Sequence, residues 1–267
     1  MSLRATARAT PTMAKIAFEE AVAYRAEMFV WMLATTMPLV MLALWSAVVR
    51  DAPVGRFGQA EFTTYYLMMF IARQLTGSWA AWEMNYEVRT GALSQRLLRP
   101  ISPVVSYALQ NLSALPLRAV VAVPVAAIAL FVVGKSTLAA DGRVWALVPL
   151  SLLGGWLVTF LFNIAIGALS LYMESSLKIM EIYFTSFAVL SGYLIPVELF
   201  PPALRAAIQW LPFRFQVGLP VELVTNAHPW PEAAQLLAVQ WGWVAALGAV
   251  TAALWRGGLK RYAAYGG

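Results

Sequence analysis

Six stretches of this chain, at 28–49, 62–82, 104–133, 144–172, 177–195 and 233–255, are predominantly apolar. Each runs for roughly the 20 residues that a helix needs to cross a hydrocarbon core. The expected fold is therefore an all-α integral membrane protein with six transmembrane helices. The rest of the sequence agrees: 61% of residues are hydrophobic and 12% are charged, against about 25% charged in an ordinary soluble domain.

Charge placement orients the spans. With six crossings both termini share a side. If that side is cytoplasmic, it collects Arg4, Arg8, Lys15, Arg25, Arg89, Arg96, Arg99, Lys178, Arg256, Lys260 and Arg261. The opposite side receives Arg50, Arg56, Lys135, Arg143, Arg205 and Arg214. The excess of cations marks the termini as inner, and the expected location is the plasma (inner) membrane of a bacterium. Trp31, Trp45, Trp79, Trp82, Trp145 and Trp255 fall near the predicted span ends, the usual place for interfacial indoles. The first 20 residues are polar and basic and lack the apolar core of a signal peptide, so they are read as retained.

Two predicted organisational units follow. Residues 1–27 form a cytoplasmic N-terminus with an amphipathic helix at 12–27, where Met13, Ile16, Ala17, Ala21 and Tyr24 recur at helical spacing. Such a helix would lie in the inner interface. Residues 28–267 form the membrane domain. Its third run would be about 45 Å long as one straight helix, so Pro116 and Pro124 predict a kink. The segment 191–215 carries Pro196, Pro201, Pro202 and Pro212 after Gly192. Pro202 suits a first helical turn, and Leu204, Ala207, Ile208 and Leu211 share a face. A short helical hairpin dipping into the outer leaflet is expected at about 192–212.

Several chemistries are disfavoured. The chain has no cysteine and one histidine, His228, which excludes thiolate sites and makes a metal centre implausible; an interfacial surface histidine with no nearby acidic cluster is expected. The tetrapeptide GKST at 134–137 lacks the glycine five residues upstream that a phosphate loop needs, since Ala129 stands there. No catalytic constellation for a lipid-modifying enzyme is visible. Arg73 and Arg118 fall inside predicted spans, where ionisable groups are costly and often functional. They either pair structurally or line a cavity that tolerates anionic or phosphate-bearing amphiphiles. Asn163 is a third polar candidate for a substrate pathway. The scarcity of intramembrane carboxylates weakens a proton-coupled reading.

The remaining unusual segment is EVRTGALSQRLLRPISP, from Glu87 to Pro103. It lies between two apolar runs on the expected cytoplasmic side. Val88, Ala92, Leu93, Leu97 and Leu98 make one helical stripe, with Arg89, Ser94, Gln95 and Arg96 on the remainder, and Pro100 and Pro103 end the helix. The predicted element is a short amphipathic helix tethered to two spans.

The pattern E-V-x-x-G-x-L-S-x-x-L-L-R-P resembles the cytoplasmic segment after the second span in ABC-2-type transporter permeases, above all the six-span subgroup of about this length without a fused ATPase domain. The basic ending RGGLKRYAAYGG, the N-terminal interfacial helix, the six spans and the proline-rich outer hairpin occur in the same order. The resemblance implies a permease that moves a drug, lipid or glycolipid-like substrate out of the cytoplasm or inner leaflet. It implies a cytoplasmic ABC ATPase dimer and a second permease, identical or sister, as partners, with membrane lipids around them and no nucleic acid. ATP and Mg would be bound by the ATPase, with no cofactor on this chain. Residues 87–99 would be the coupling helix, with Glu87, Arg89, Leu93, Arg96, Leu97, Leu98 and Arg99 meeting the ATPase. The 12–27 helix would be the elbow, and Gly192, Pro196, Pro201, Pro202 and Pro212 would belong to an outer gate. An ATP-independent channel and a membrane scaffold remain as alternatives.

Overall fold

The structure, a computed structural model, describes residues 3–99, 101–133, 137–225 and 227–262. Residues 134–136 of the GKST tetrapeptide and the last five residues of the basic ending lie outside the described residues. The described chain is all-helical, with 79% helix and no strand. The helices, in order, are α1 (Leu3–Ala23), α2 (Arg25–Ala34), α3 (Met37–Val48), α4 (Gln59–Thr76), α5 (Ala80–Thr90), α6 (Ala92–Leu97), α7 (Pro103–Ser113) and α8 (Leu115–Val133). They continue with α9 (Gly142–Leu169), α10 (Leu177–Leu190), α11 (Pro202–Ile208), α12 (Arg214–Val224) and α13 (Trp230–Arg261).

Among the described residues, four helical paths are long and apolar enough to cross a membrane: Arg25–Val48, Pro103–Val125, Gly142–Leu169 and Trp230–Arg261. Two predicted spans behave differently. The stretch at 62–82 is divided between α4 and α5 by an extended Gly77, and much of α4 is buried against protein. It carries Glu61, Arg73, Gln74 and several tyrosines and threonines, so its mean hydropathy is low because its neighbours are helices rather than lipid. The stretch at 177–195 holds the 14-residue α10, about 21 Å long and shorter than a core of about 30 Å.

The breaks have local causes. Between α2 and α3, Thr35 Oγ1 donates to the Met32 carbonyl at 2.7 Å and Thr36 Oγ1 to the Leu33 carbonyl at 2.8 Å. These hydroxyls satisfy carbonyls that the interrupted helix leaves free, and Pro38 then starts α3 without needing a hydrogen-bond partner. The predicted kink in the third run occurs at Ala114, with Pro116 in the first turn of α8; Pro124 lies within α8. Helix α9 starts at Asp141, whose side chain accepts from the Arg143 amide at 2.9 Å.

Helix α9 is the central post. Helices α13, α12, α5 and α4 pack on it. A methyl group on Gly155 would run into the backbone carbonyl of Gln216, so glycine is what lets α12 approach this closely. Helix α4 packs on α3, α8 and α12 around Phe57, Phe62, Tyr65, Tyr66 and Met69. Helix α1 packs on α7, where Ser113 Oγ donates to the Ala14 carbonyl at 3.2 Å. It begins before the predicted 12–27 helix and ends at Ala23, so Glu27 belongs to α2.

Candidate functional site

Two connected features stand out: the turn that joins α5 to α7, and a cavity beside α5.

The turn corrects the sequence reading. Residues 87–99 do not form one helix. Helix α5 runs on to Thr90, and Gly91 adopts φ +77°, a left-handed conformation that glycine occupies without steric cost and that commonly ends a helix. Six-residue α6 then starts in a new direction, so the stripe drawn through Val88 and Leu98 is split. Leu93 is 0% exposed and is core. Leu98 is 87% exposed. Leu97 is half-buried, while Arg89, Gln95 and Arg99 are exposed.

Arg96 faces inward, contrary to a role on the partner-facing surface. Its guanidinium donates to Glu83 at 2.8 Å, to Glu87, and to Gln110 at 3.3 Å. It also lies 4.4 Å from the centroid of the Tyr107 ring, within cation–π range. Buried Glu87 accepts in addition from the Tyr107 hydroxyl at 2.6 Å. One arginine thus ties α6 to the helix before it, α5, and to the helix after it, α7. Ser94 on α6 also bonds the Tyr262 hydroxyl at 3.1 Å. The turn is therefore held as a rigid elbow, with Arg89, Gln95, Leu98 and Arg99 on its outer surface.

The cavity has a volume of about 560 Å³. Its wall comes from α2 (Trp31, Met32), Thr35, the end of α4 (Arg73, Gln74), the 77–79 break, α5 (Trp82, Glu83), Ala114 and α8 (Arg118). Arg73 and Arg118, picked out in sequence for their predicted depth, are brought together here. Arg73 is 7% exposed and sits 5.1 Å from the centroid of the Phe187 ring. Arg118 is half-buried and donates to the Gly77 carbonyl at 3.0 Å, satisfying an acceptor freed where α4 stops. Gln74 donates to Thr35 Oγ1 at 2.9 Å across to the α2–α3 break.

Trp31, Trp79 and Trp82 form the apolar wall. Trp31 and Trp79 ring centroids are 5.2 Å apart, Trp79 and Trp82 5.4 Å, and Trp82 and Phe184 5.2 Å. The breaks in the second span and in α2–α3 bring these three indoles, expected near the headgroups, to the cavity. Asn163 does not line it. Buried on α9, it donates to the Thr159 carbonyl at 3.0 Å and accepts from the Ala81 amide at 3.4 Å, receiving a free N–H at the start of α5.

The proline-rich hairpin is more elaborate than expected. Gly192 has φ +85°, and its carbonyl accepts from the Tyr65 hydroxyl at 2.8 Å. Pro196 precedes a 3₁₀ turn at Val197–Leu199, Pro201 and Pro202 open α11, and Pro212 is buried before α12. The Leu194 carbonyl accepts from Tyr66 at 2.8 Å and from Trp45 at 3.3 Å, and Arg56 pairs with Glu198 at 2.5 Å.

Sequence reasoning missed α12, every residue of which is buried. It also placed His228 on the surface without acidic neighbours. The structure sets His228 between Glu222 at 3.0 Å and Glu232 at 2.9 Å, with Arg214 at 3.1 Å and Arg214 in turn paired to Glu222. The signal was present as two charges inside the apolar run RFQVGLPVELV, which need a partner once buried. Burial opposes the charged imidazole, but the hydrogen bond and charge of Glu222 outweigh it and raise the His228 pKa above its ordinary value. Among the described residues no cluster of acidic and histidine side chains is suited to hold a metal.

A family model described as ABC-2 family transporter protein matches residues 29–266. A search of curated proteins returned no match. The match spans all the helices from α3 to α13 and the second half of α2, so the chain belongs to the ABC-2 transporter family and is a multi-pass membrane permease of that family.

Proposed function

We propose that this permease works as an exporter subunit, driven by a separate cytoplasmic ATPase dimer docked on the α5–α6 elbow, and that it carries an amphipathic or hydrophobic substrate from the cytoplasm or inner leaflet. The observation that carries the reading is the build of the elbow. A lever must be stiff where it joins the transmembrane helices and accessible where it is pushed. Arg96 supplies the stiffness through Glu83, Glu87, Gln110 and Tyr107. Leu98, Arg89, Gln95 and Arg99 supply an exposed surface of one apolar, one amide and two cationic side chains, suited to a groove with an acidic rim. Family membership supports the ATPase partner.

In this reading α4 with α5, and α10 with the turn after it, complete six crossings behind the four apolar helices. Helix α1 serves as the inner-leaflet elbow against α7. The hairpin from Gly192 to Pro212, bound to Tyr65, Tyr66, Trp45 and Arg56, closes the outer end. A second permease completes the pathway, and ATP and Mg stay on the ATPase.

The test is purification of the tagged permease from its native membrane in mild detergent, with and without Leu98→Asp. The wild type should bring a stoichiometric ATPase, and transport in vesicles should require ATP. Leu98→Asp, exposed and outside the core, should insert at normal abundance yet lose ATPase association or ATP-driven transport. Unaltered association and transport in that variant would remove the lever assignment, and a wild type that purifies alone from several mild detergents would favour a channel or scaffold.

A further inference from the structure

The cavity beside α5 is lined by two guanidinium groups, Arg73 and Arg118, and by three indoles. Among the described residues, neither arginine has a carboxylate within ion-pair distance. The carboxylate that lines the cavity, Glu83, is bound to Arg96 at 2.8 Å. Taking a cation out of water is costly unless it is paired. Arg73 has the Phe187 face and a hydrogen bond with the Tyr193 side chain, both neutral partners, and the Gly77 carbonyl accepts one donor of Arg118 out of the five a guanidinium carries. Two like charges also repel each other across the same space. Both deficits would be met by one anion between them.

The same cavity is also lined by a run of tilted rings from Trp31 through Trp79 to Trp82. Flat apolar surface of this kind is suited to an acyl chain or ring system rather than to a hydrated ion. The cavity therefore combines the two halves of an amphiphile, a negative head and an apolar body.

We propose that this cavity is the loading site for an anionic amphiphile, whose phosphate or carboxylate head lies between Arg73 and Arg118 and whose apolar part lies along Trp31, Trp79 and Trp82. The assignment names the cargo class for the permease and rests on that reading. It also accounts for the break between α4 and α5. An unbroken helix would bring its own side chains across the space, whereas the extended Gly77 opens the wall and frees the carbonyl that orients Arg118. Because Glu83 lies in the wall of the cavity and also binds Arg96 of the elbow, the loaded site and the elbow share one helix, α5.

The experiment is binding to the purified full-length permease in a nonionic detergent, without ATPase or nucleotide. Its outcome is therefore independent of whether ATP drives transport. Dodecyl phosphate and dodecanoate carrying bromine on the chain are titrated while tryptophan fluorescence is read, because bromine quenches indoles in contact with it. Dodecyltrimethylammonium and dodecyl maltoside with the same bromination are the charge controls, and inorganic phosphate is the headgroup control.

Both anionic chains should quench saturably, the cation and the neutral chain should not compete, and Arg73→Gln should weaken binding by about tenfold or more, the loss expected for one charge-assisted hydrogen bond. Trp79→Leu should remove part of the quenching amplitude. Equal binding of the cationic chain overturns the proposal and needs no variant, so it holds even if Arg73→Gln fails to fold. Inorganic phosphate that displaces the brominated chains as effectively as dodecyl phosphate overturns the amphiphile half and leaves a soluble anion as the ligand. Extraction and mass spectrometry of what copurifies separate the sources: an anionic membrane lipid lost in Arg73→Gln assigns the site to lipid, and its absence with dodecyl phosphate still binding assigns it to a soluble amphiphile.

Discussion

Arg96 offers the sharpest test of the elbow. In Arg96→Met the side chain keeps much of its apolar stem but loses its charge. Glu87 is then left buried with the Tyr107 hydroxyl as its one remaining partner. Breaking a buried ion pair by removing one member costs roughly 3–5 kcal/mol, because the other charge is left uncompensated. The Glu83 arm is more exposed and adds at most about 1 kcal/mol. The lost Tyr107 contact adds a further ~0.5–1 kcal/mol. Relaxation of Glu87 towards water returns part of this, so a net loss of about 3 kcal/mol is expected. For a chain of this size that corresponds to a fall of roughly 6–12 °C in apparent melting temperature, read by thermal unfolding in detergent. The double variant Arg96→Met/Glu87→Gln should recover about 2 kcal/mol of it, since the amide can stay hydrogen-bonded to Tyr107 without a buried charge. Melting of the single variant within the error of wild type would refute the argument that Arg96 clamps the elbow, and so would a double variant no better than the single.

Three further outcomes follow from the geometry. Gly155→Ala should lower stability by about 1–3 kcal/mol, because its methyl group meets the Gln216 backbone carbonyl, and a melting curve identical to wild type would mean that α12 can shift outward without cost. Gly91→Ala, at φ +77° with open space around the added carbon, should cost about 1–2 kcal/mol from backbone strain alone, and Gly91→Asn less; equal melting temperatures for the two would count against a left-handed turn at the elbow. His228, raised by Glu222 against the opposing burial, with Arg214 and Glu232 also facing it, contributes stability that is full below its unfolded pKa of about 6.5 and is lost as pH rises through its higher folded value. The melting temperature of the wild type should therefore fall with rising pH in that window relative to His228→Asn, and parallel profiles would contradict the ion-pair assignment.

The sequence alone determined the solvent, the fold class and the family pattern. Long apolar runs and scarce charge are sums over local residues, and hydrocarbon imposes helix on them whatever their neighbours. Arg73 and Arg118 were also legible as unusual, because the cost of a cation in an apolar run does not depend on tertiary detail. Facing was not legible. A helical stripe drawn over 87–99 assumes one continuous phase, and Gly91 in the left-handed region resets it, so Leu93 turns into the core, Leu98 to the surface and Arg96 inward. Nor could sequence show that three helices, each interrupted or kinked, bring Trp31, Arg73, Trp79 and Arg118 to one cavity. Helix α4 reads as weakly apolar because it is buried in protein, and Arg214, Glu222 and His228 read as unrelated until α12 folds them together. Local composition sets which segments become helices, while the direction each side chain faces depends on the backbone breaks between them and on the neighbours those breaks bring into contact.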